Sequence, residues 1–470
     1  MHAPRLWVLA LAAALAVPAA AQSSVAPVAE QLLKQLVDIN TTDAMGTTAA
    51  ARAMRERLLG AGFAPADVVL VGSNPNKQNM VARLHGSGAK PPILLIGHLD
   101  VVQARRQDWS TDPFTLIEKN GYFYGRGTQD MKDGDAIFVA ALMRFKQEGY
   151  RPDRDIILAL TAAEEGGSDN GVQWLLAHRR DLIKAAFVLN ADGGGIDAIK
   201  GVPQYMAVDA SEKLYADYQL STVDRGGHSS LPRPDNAIYE LMEALGKLDH
   251  HQFPLELNSV TRGYFAARAK IDKGQVAADE RALLATPPSA AAARRLSRDP
   301  LFNATLRTTC VATRLSGGDA NNALPQNAEA LVNCRIMPGH SALEIQRQLA
   351  AIVADPQVTI RYESDDGVLH ATAPPAVSNP PVALAPAVMQ PLAQLTSSIW
   401  HVPVVPDMAT GASDGKYTNA AGMPTYAISG VSIDEDNVRA HGRDENLGVA
   451  SFDQGAEFYY RYLKMLTGGH

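Results

Sequence analysis

Three apolar runs in this chain end on residue types that bind cations. "PPILLIGHLD" ends at His98 and Asp100, "DIILALTAAEE" at Glu164 and Glu165, and "AAFVLNAD" at Asp192. Each run is short, uncharged and strand-like, as expected of a strand buried on both faces. A helical segment, "MKDGDAIFVAALMRFKQEG", lies between the first two. Strands alternating with helices give an α/β layer with a largely parallel sheet. The carboxyl ends of such strands line the binding crevice, so residues far apart in sequence converge there. Glu164 and Glu165 repel one another, so either solvent or something strongly positive must offset them.

The remaining segments extend this layer and then interrupt it. "SSVAPVAEQLLKQLVDIN" and "TTAAARAMRERLLGAG" read as amphipathic helices, and "ADVVLVG" and "QNMVARL" as strands. Near residue 211 the pattern changes. "YADYQLSTVD" alternates as a half-buried strand, "NAIYELMEALGKL" is helical, and a long helical and polar stretch covers about 250 to 305. "TTCVATRL" and "NAEALVNCRI" pair across a Gly/Asn/Pro-rich turn, followed by the helix "SALEIQRQLAAIVA" and the strand "QVTIRYE". This β-α-β-β-α-β order predicts a compact α+β, ferredoxin-like insert. "MPTYAISGV" and "FDQGAEFYYRYLKML" return the chain to the first layer as strand and helix. The expected organisation is a first layer built from 22–209 and 370–470, interrupted by an inserted domain at 210–369.

Composition narrows the function class. Of 470 residues, 46% are hydrophobic and 20% charged, and the net charge is −7, with no basic run to bind nucleic acid. Arg5, the apolar stretch Leu6–Val17 and the small residues Ala19–Ala21 predict a secretory signal peptide over residues 1–21. No Cys follows the apolar stretch, and nothing else in the sequence could span a membrane, so export leads to the periplasm or the medium. Two cysteines cannot build a Cys-rich zinc site. Opposed residues of a hairpin are equidistant from its turn, and the midpoint of Cys310 and Cys334 is residue 322, inside "GGDANNALPQ". A disulfide between them is therefore expected.

His98, Asp100, Asp130, Glu164, Glu165, Asp192 and His441 are the candidate chemical residues, each near a strand end or turn. Two histidines with several carboxylates suit zinc in a hydrolytic site. A shared carboxylate can hold two metal ions roughly 3.5–4 Å apart. One glutamate of the pair would then face a metal and its neighbour would act as general base.

"GHLDVV", "W…PF…GYFYGRGTQDMKDG", "TAAEEGG" and "AHGRDE" together resemble the dizinc amidohydrolase and peptidase family of glutamate carboxypeptidase, aminoacylase, carnosinase and succinyl-diaminopimelate desuccinylase. The resemblance runs from about residue 30 to the C-terminus, and "ATLRTTC" with the long insert is most similar to the carboxypeptidase S branch. It implies two zinc ions per chain, with cobalt or manganese also accepted. His98, Asp192 and a bridging Asp130 would hold one ion, and Asp130, Glu165 and His441 the other. Glu164 would be the general base, and Asp100 would orient His98. Asp197 is the poorer alternative to Asp192. The resemblance further implies that His228 in "GGHSS" stabilises the oxyanion from a lid, that Asn322 contacts substrate, and that Arg335 grips a substrate carboxylate. Gly411 in "GASDGKY" would face substrate. A cis peptide bond after Asp130 and a homodimer through the insert also come with the resemblance.

The expected activity is cleavage of an amide bond in a dipeptide or N-acyl amino acid with a free carboxylate. An aminopeptidase or dipeptidase that reads the substrate amine is the alternative. A catalytically dead binding member of the family would have lost a ligand or the base, and all are present here.

Overall fold

The apolar runs form the middle of a mixed sheet. A computed structural model describes residues 24–378 and 380–468, so the expected signal peptide lies outside the described residues. Ile156–Thr161, Ile93–His98, Phe187–Asn190 and Thr425–Ala427 lie side by side in that order, all parallel. Side chains alternate across this sheet. Ile93 and Leu95 face a cluster that includes Phe138 and Phe145 of the helix Lys132–Glu148 and Phe458 and Tyr462 of the helix Val449–Thr467. Leu94 and Ile96 face the opposite cluster, with Leu175 and Ile183. Burial on both faces is why these runs carry no polar alternation.

Further strands, antiparallel and parallel, complete both flanks. Val68–Val71 and Asn79–Leu84 extend the sheet beyond Ile156–Thr161. On the other flank Val202–Glu212 pairs with Thr425–Ala427, with Gly195–Ile199 and, in parallel, with Val404–Ala409. Ser432–Asp434 is the last strand of the ten. The hairpin formed by Gly195–Ile199 and Val202–Glu212 was not apparent from the sequence.

A second sheet takes the β-α-β-β-α-β order. Its strands run Thr309–Gly317, Asn327–Ile336, Leu214–Val223, Thr359–Glu363 and Leu369–His370, each antiparallel to its neighbour. Residues of the helices Ala237–His250 and Ala342–Val353 join these strands in one buried cluster. Cys310 and Cys334 face each other in register and are disulfide-bonded, as the hairpin midpoint predicts. The helical stretch Ser259–Leu306, which precedes Thr309–Gly317 in the chain, packs elsewhere. Tyr264, Phe265, Leu283 and Leu306 form a cluster with Tyr205, Ala207 and Val405 of the large sheet.

Candidate metal centre

Strand ends bring the predicted residues together. His98 is the last residue of its strand and is 2% exposed. Its Nδ1 lies 3.0 Å from the backbone carbonyl oxygen of Asp100. Donation from Nδ1 to that carbonyl leaves Nε2 as the ligand atom. Nε2 faces Asp130 Oδ1 at 3.1 Å and Glu164 Oε2 at 3.9 Å. Asp130 sits just before the helix Lys132–Glu148, and the Asp130–Met131 peptide is cis, as expected. Its second oxygen, Oδ2, lies 3.0 Å from His441 Nε2. His441 Nε2 is also 2.9 Å from Glu165 Oε2. Asp130 thus turns one oxygen toward each histidine.

Asp100 reaches the glutamate pair as well as His98. Its carboxylate accepts the backbone N–H groups of Glu164, at 3.2 Å, and Glu165, at 3.0 Å. Its nearest approach to His98 Nδ1 is 3.9 Å. The Asp100 carbonyl is thus nearer the imidazole than its carboxylate is.

The ligand atoms fall into two overlapping groups. Those of His98, Glu164 and Asp192 lie within 4.8 Å of one another, as do those of His98, Asp130 and Glu165. The first group contains Glu164, which the sequence reading kept out of the metal shell. Buried like charges dominate the electrostatics. Burial raises Glu164 well above its ordinary value; His98 opposes this, and Asp192, Asp414 and Glu165 add to it. Burial, followed by the charge of Asp130, pushes Asp192 up to about 8. Burial also raises Asp130, but hydrogen bonds to His441 and His98 outweigh it and hold the carboxyl below the usual range. Hydrogen bonds to Asp130 and Glu165 lift His441 to about 10 against the effect of burial. A cluster of imidazole nitrogens and carboxylate oxygens with this charge excess fits divalent cations.

A cleft of about 880 Å³ opens over Glu164, Glu165 and His441. Arg335 lines it, with the guanidinium 4.7 Å from the ring centre of Tyr215. Ala412, Lys416 and Tyr417 also line it, whereas Gly411 lines a smaller cavity of about 150 Å³ beside Asp192. The "GASDGKY" loop therefore faces the cleft through residues the sequence reading passed over. Asp414 of that loop is buried, accepting from Asn170 Nδ2 at 2.7 Å and Thr161 Oγ1 at 3.3 Å. His228 and Asn322 come together, since Ser229 N–H donates to the Asn322 carbonyl at 2.9 Å. Neither lines the cleft. His228 is exposed, with Nδ1 2.8 Å from Ser230 Oγ. Asp197 is in the strand Gly195–Ile199, in neither ligand group.

Comparison with known proteins agrees with this geometry. The chain is 29% identical over 388 residues to N-fatty-acyl-amino acid synthase/hydrolase PM20D1 of Homo sapiens, covering 79% of this chain and 74% of that protein. It is 28% identical over 383 residues to probable carboxypeptidase S-like 2 of Dictyostelium discoideum, covering 79% and 71%. The M20 family metallo-carboxypeptidase Sso-CP2 of Sulfolobus solfataricus superposes with a TM-score of 0.70 at 17% identity, over 93% of this chain and 99% of that one. The model of peptidase family M20/M25/M40 matches residues 94–465, a span that holds every candidate ligand and both glutamates, and the chain belongs to that family of metallohydrolases.

Proposed function

We propose that this enzyme hydrolyses the amide bond of a dipeptide or N-acyl amino acid that carries a free carboxylate. Two zinc ions would be held by His98, Asp130 and Asp192 on one side and by Asp130, Glu165 and His441 on the other. The observation that carries this reading is Asp130, with its two oxygens directed at two histidines from distant parts of the chain. The ions, once bound, would polarise the scissile carbonyl and lower the pKa of water toward ~7.

The chain's own groups supply the rest. Glu164 stands at the cleft wall, 3.9 Å from His98 Nε2. It takes the proton of the attacking water and returns it to the leaving amine. Arg335, which also lines the cleft, offers a planar, two-pronged donor to the substrate carboxylate. His228 stabilises the tetrahedral oxygen after the second sheet and its two helices close over the cleft, or from a second copy of the chain. The leader at 1–21 exports the enzyme. PM20D1, named for N-fatty-acyl-amino acids, and the carboxypeptidase relatives support the substrate class.

A second reading rests on acidic residues of the cleft lining. Asp169, Asp217, Asp365 and Asp366 line it and would receive a substrate amine. The deciding experiment offers the zinc-loaded mature protein dipeptides, N-acyl amino acids and their C-terminally amidated forms, with amine release as readout. Cleavage of free acids in preference to amides is expected. Cleavage that ignores the carboxylate and requires a free α-amine would favour the aminopeptidase reading.

A further inference from the structure

Gln129 precedes Asp130, and its side chain leaves the metal cluster for the loop that carries His441. Its Oε1 accepts the backbone N–H of Arg439 at 2.8 Å and of Ala440 at 3.0 Å. Its Nε2 donates to the carbonyl oxygens of Asn437 at 2.9 Å and Asn446 at 2.6 Å. These four bonds use both donors and both lone pairs of the amide. The contact is answered from the same loop. Glu445 is 0% exposed, and its Oε1 accepts the N–H groups of Gly127 at 3.1 Å, Gln129 at 2.7 Å and Asp130 at 3.3 Å. Its other oxygen pairs with buried Arg126, which also donates to the carbonyl of Gly442 at 3.1 Å.

His441 depends on this lacing more than the other candidate ligands do. His98 ends a sheet strand, Glu165 and Asp192 follow strands closely, and Asp130 opens a long helix. His441 stands on an irregular loop with its side chain 52% exposed. Nothing in a sheet fixes its ring, yet Nε2 reaches Asp130 and Glu165.

We propose that Gln129 is a positioning residue that sets the affinity of the cation position completed by His441. The residue joins the bridging carboxylate to that loop, so the two approach each other as one unit. Only an amide fits. A carboxylate of the same length would face the carbonyls of Asn437 and Asn446, and a thioether would make none of the four bonds. The inference rests on the two-ion reading above. Loss of a partner that orients a ligand typically weakens metal binding by about 10- to 100-fold.

The test is equilibrium dialysis of Zn²⁺ against the metal-stripped full chain, comparing wild type, Gln129→Met and Gln129→Glu. Wild type should bind two ions. Both variants should bind one ion with wild-type affinity and the second at least tenfold more weakly. Gln129→Glu keeps the acceptors for Arg439 and Ala440, so it carries the test if Gln129→Met does not fold. Wild-type affinity for both ions in the variants would overturn the proposal and leave the two-ion reading standing. Equal weakening of both ions would also overturn it, because the effect would then be general. Fewer than two ions on the wild type would remove the two-ion reading itself.

Discussion

Asp100→Ala should disable the glutamate pair. Asp100 is 5% exposed, and its carboxylate accepts the backbone N–H groups of Glu164 and Glu165 at 3.2 and 3.0 Å. Truncation leaves both donors without that acceptor in a buried setting. Each such orphan costs about 1–3 kcal/mol, so the variant should lose about 2–6 kcal/mol of stability. The turn after Ala163, which holds φ at 57°, would relax and carry both carboxylates with it. A misplacement of ~1 Å at reacting groups can cost about 100-fold in rate. Asp100→Asn is the sharper probe. Its amide can accept one of the two N–H groups but turns its own donors toward the other. We expect kcat to fall at least tenfold in Asp100→Asn, with denaturant stability reduced less than in Asp100→Ala. The His98 backbone contact should survive, since the Asp100 carbonyl supplies it. Wild-type kcat and stability in Asp100→Asn would refute the reasoning and show that the carboxylate positions nothing.

Three further outcomes are expected. Glu164→Gln should abolish turnover while metal analysis still finds both ions, and loss of a full equivalent would show that Glu164 itself holds an ion. Replacing Cys310 and Cys334 with serine removes a bridge between residues 24 apart and should lower stability by about 3–4 kcal/mol in denaturant titration on the chain-entropy account; an unchanged midpoint and slope would contradict that. Burial opposes the charged form of His340, but its hydrogen bonds to Glu256 at 2.8 Å and Glu344 at 2.9 Å outweigh this and raise the ring above 6.5. A raised histidine stabilises the fold fully below its unfolded value and loses that contribution as pH climbs through its folded value. Stability should therefore fall above pH 6.5 in wild type and fall less in His340→Gln; parallel curves would count against the pairing.

Local pattern made the large sheet legible. Uncharged runs such as Ile93–His98 cannot sit on a surface, and their ends carry the charged residues, so strand and site are read together. The cysteine pair was legible because hairpin register is arithmetic. Contacts set by the third dimension were not. The helical stretch after Ser259 is contiguous with the insert in sequence, yet its apolar residues pack on Tyr205, Ala207 and Val405. The resemblance pairs Asp100 with His98, but the backbone amides of Glu164 and Glu165 that its carboxylate accepts leave no trace in side-chain identity. Gln129 lay inside a quoted motif, "YGRGTQD", but an uncharged residue beside an aspartate gives no sign of the loop it holds. Gly411 drew attention as a glycine, while Lys416 and Tyr417 of the same loop face the cleft.

The proposed site has Asp130 shared between two cations, since its Oδ1 faces His98 and its Oδ2 faces His441. Metal content of purified wild type and Asp130→Ala, measured after dialysis against metal-free buffer, tests it directly. Two equivalents are expected in wild type, and loss of both in the variant. Two tightly held equivalents in Asp130→Ala would contradict it.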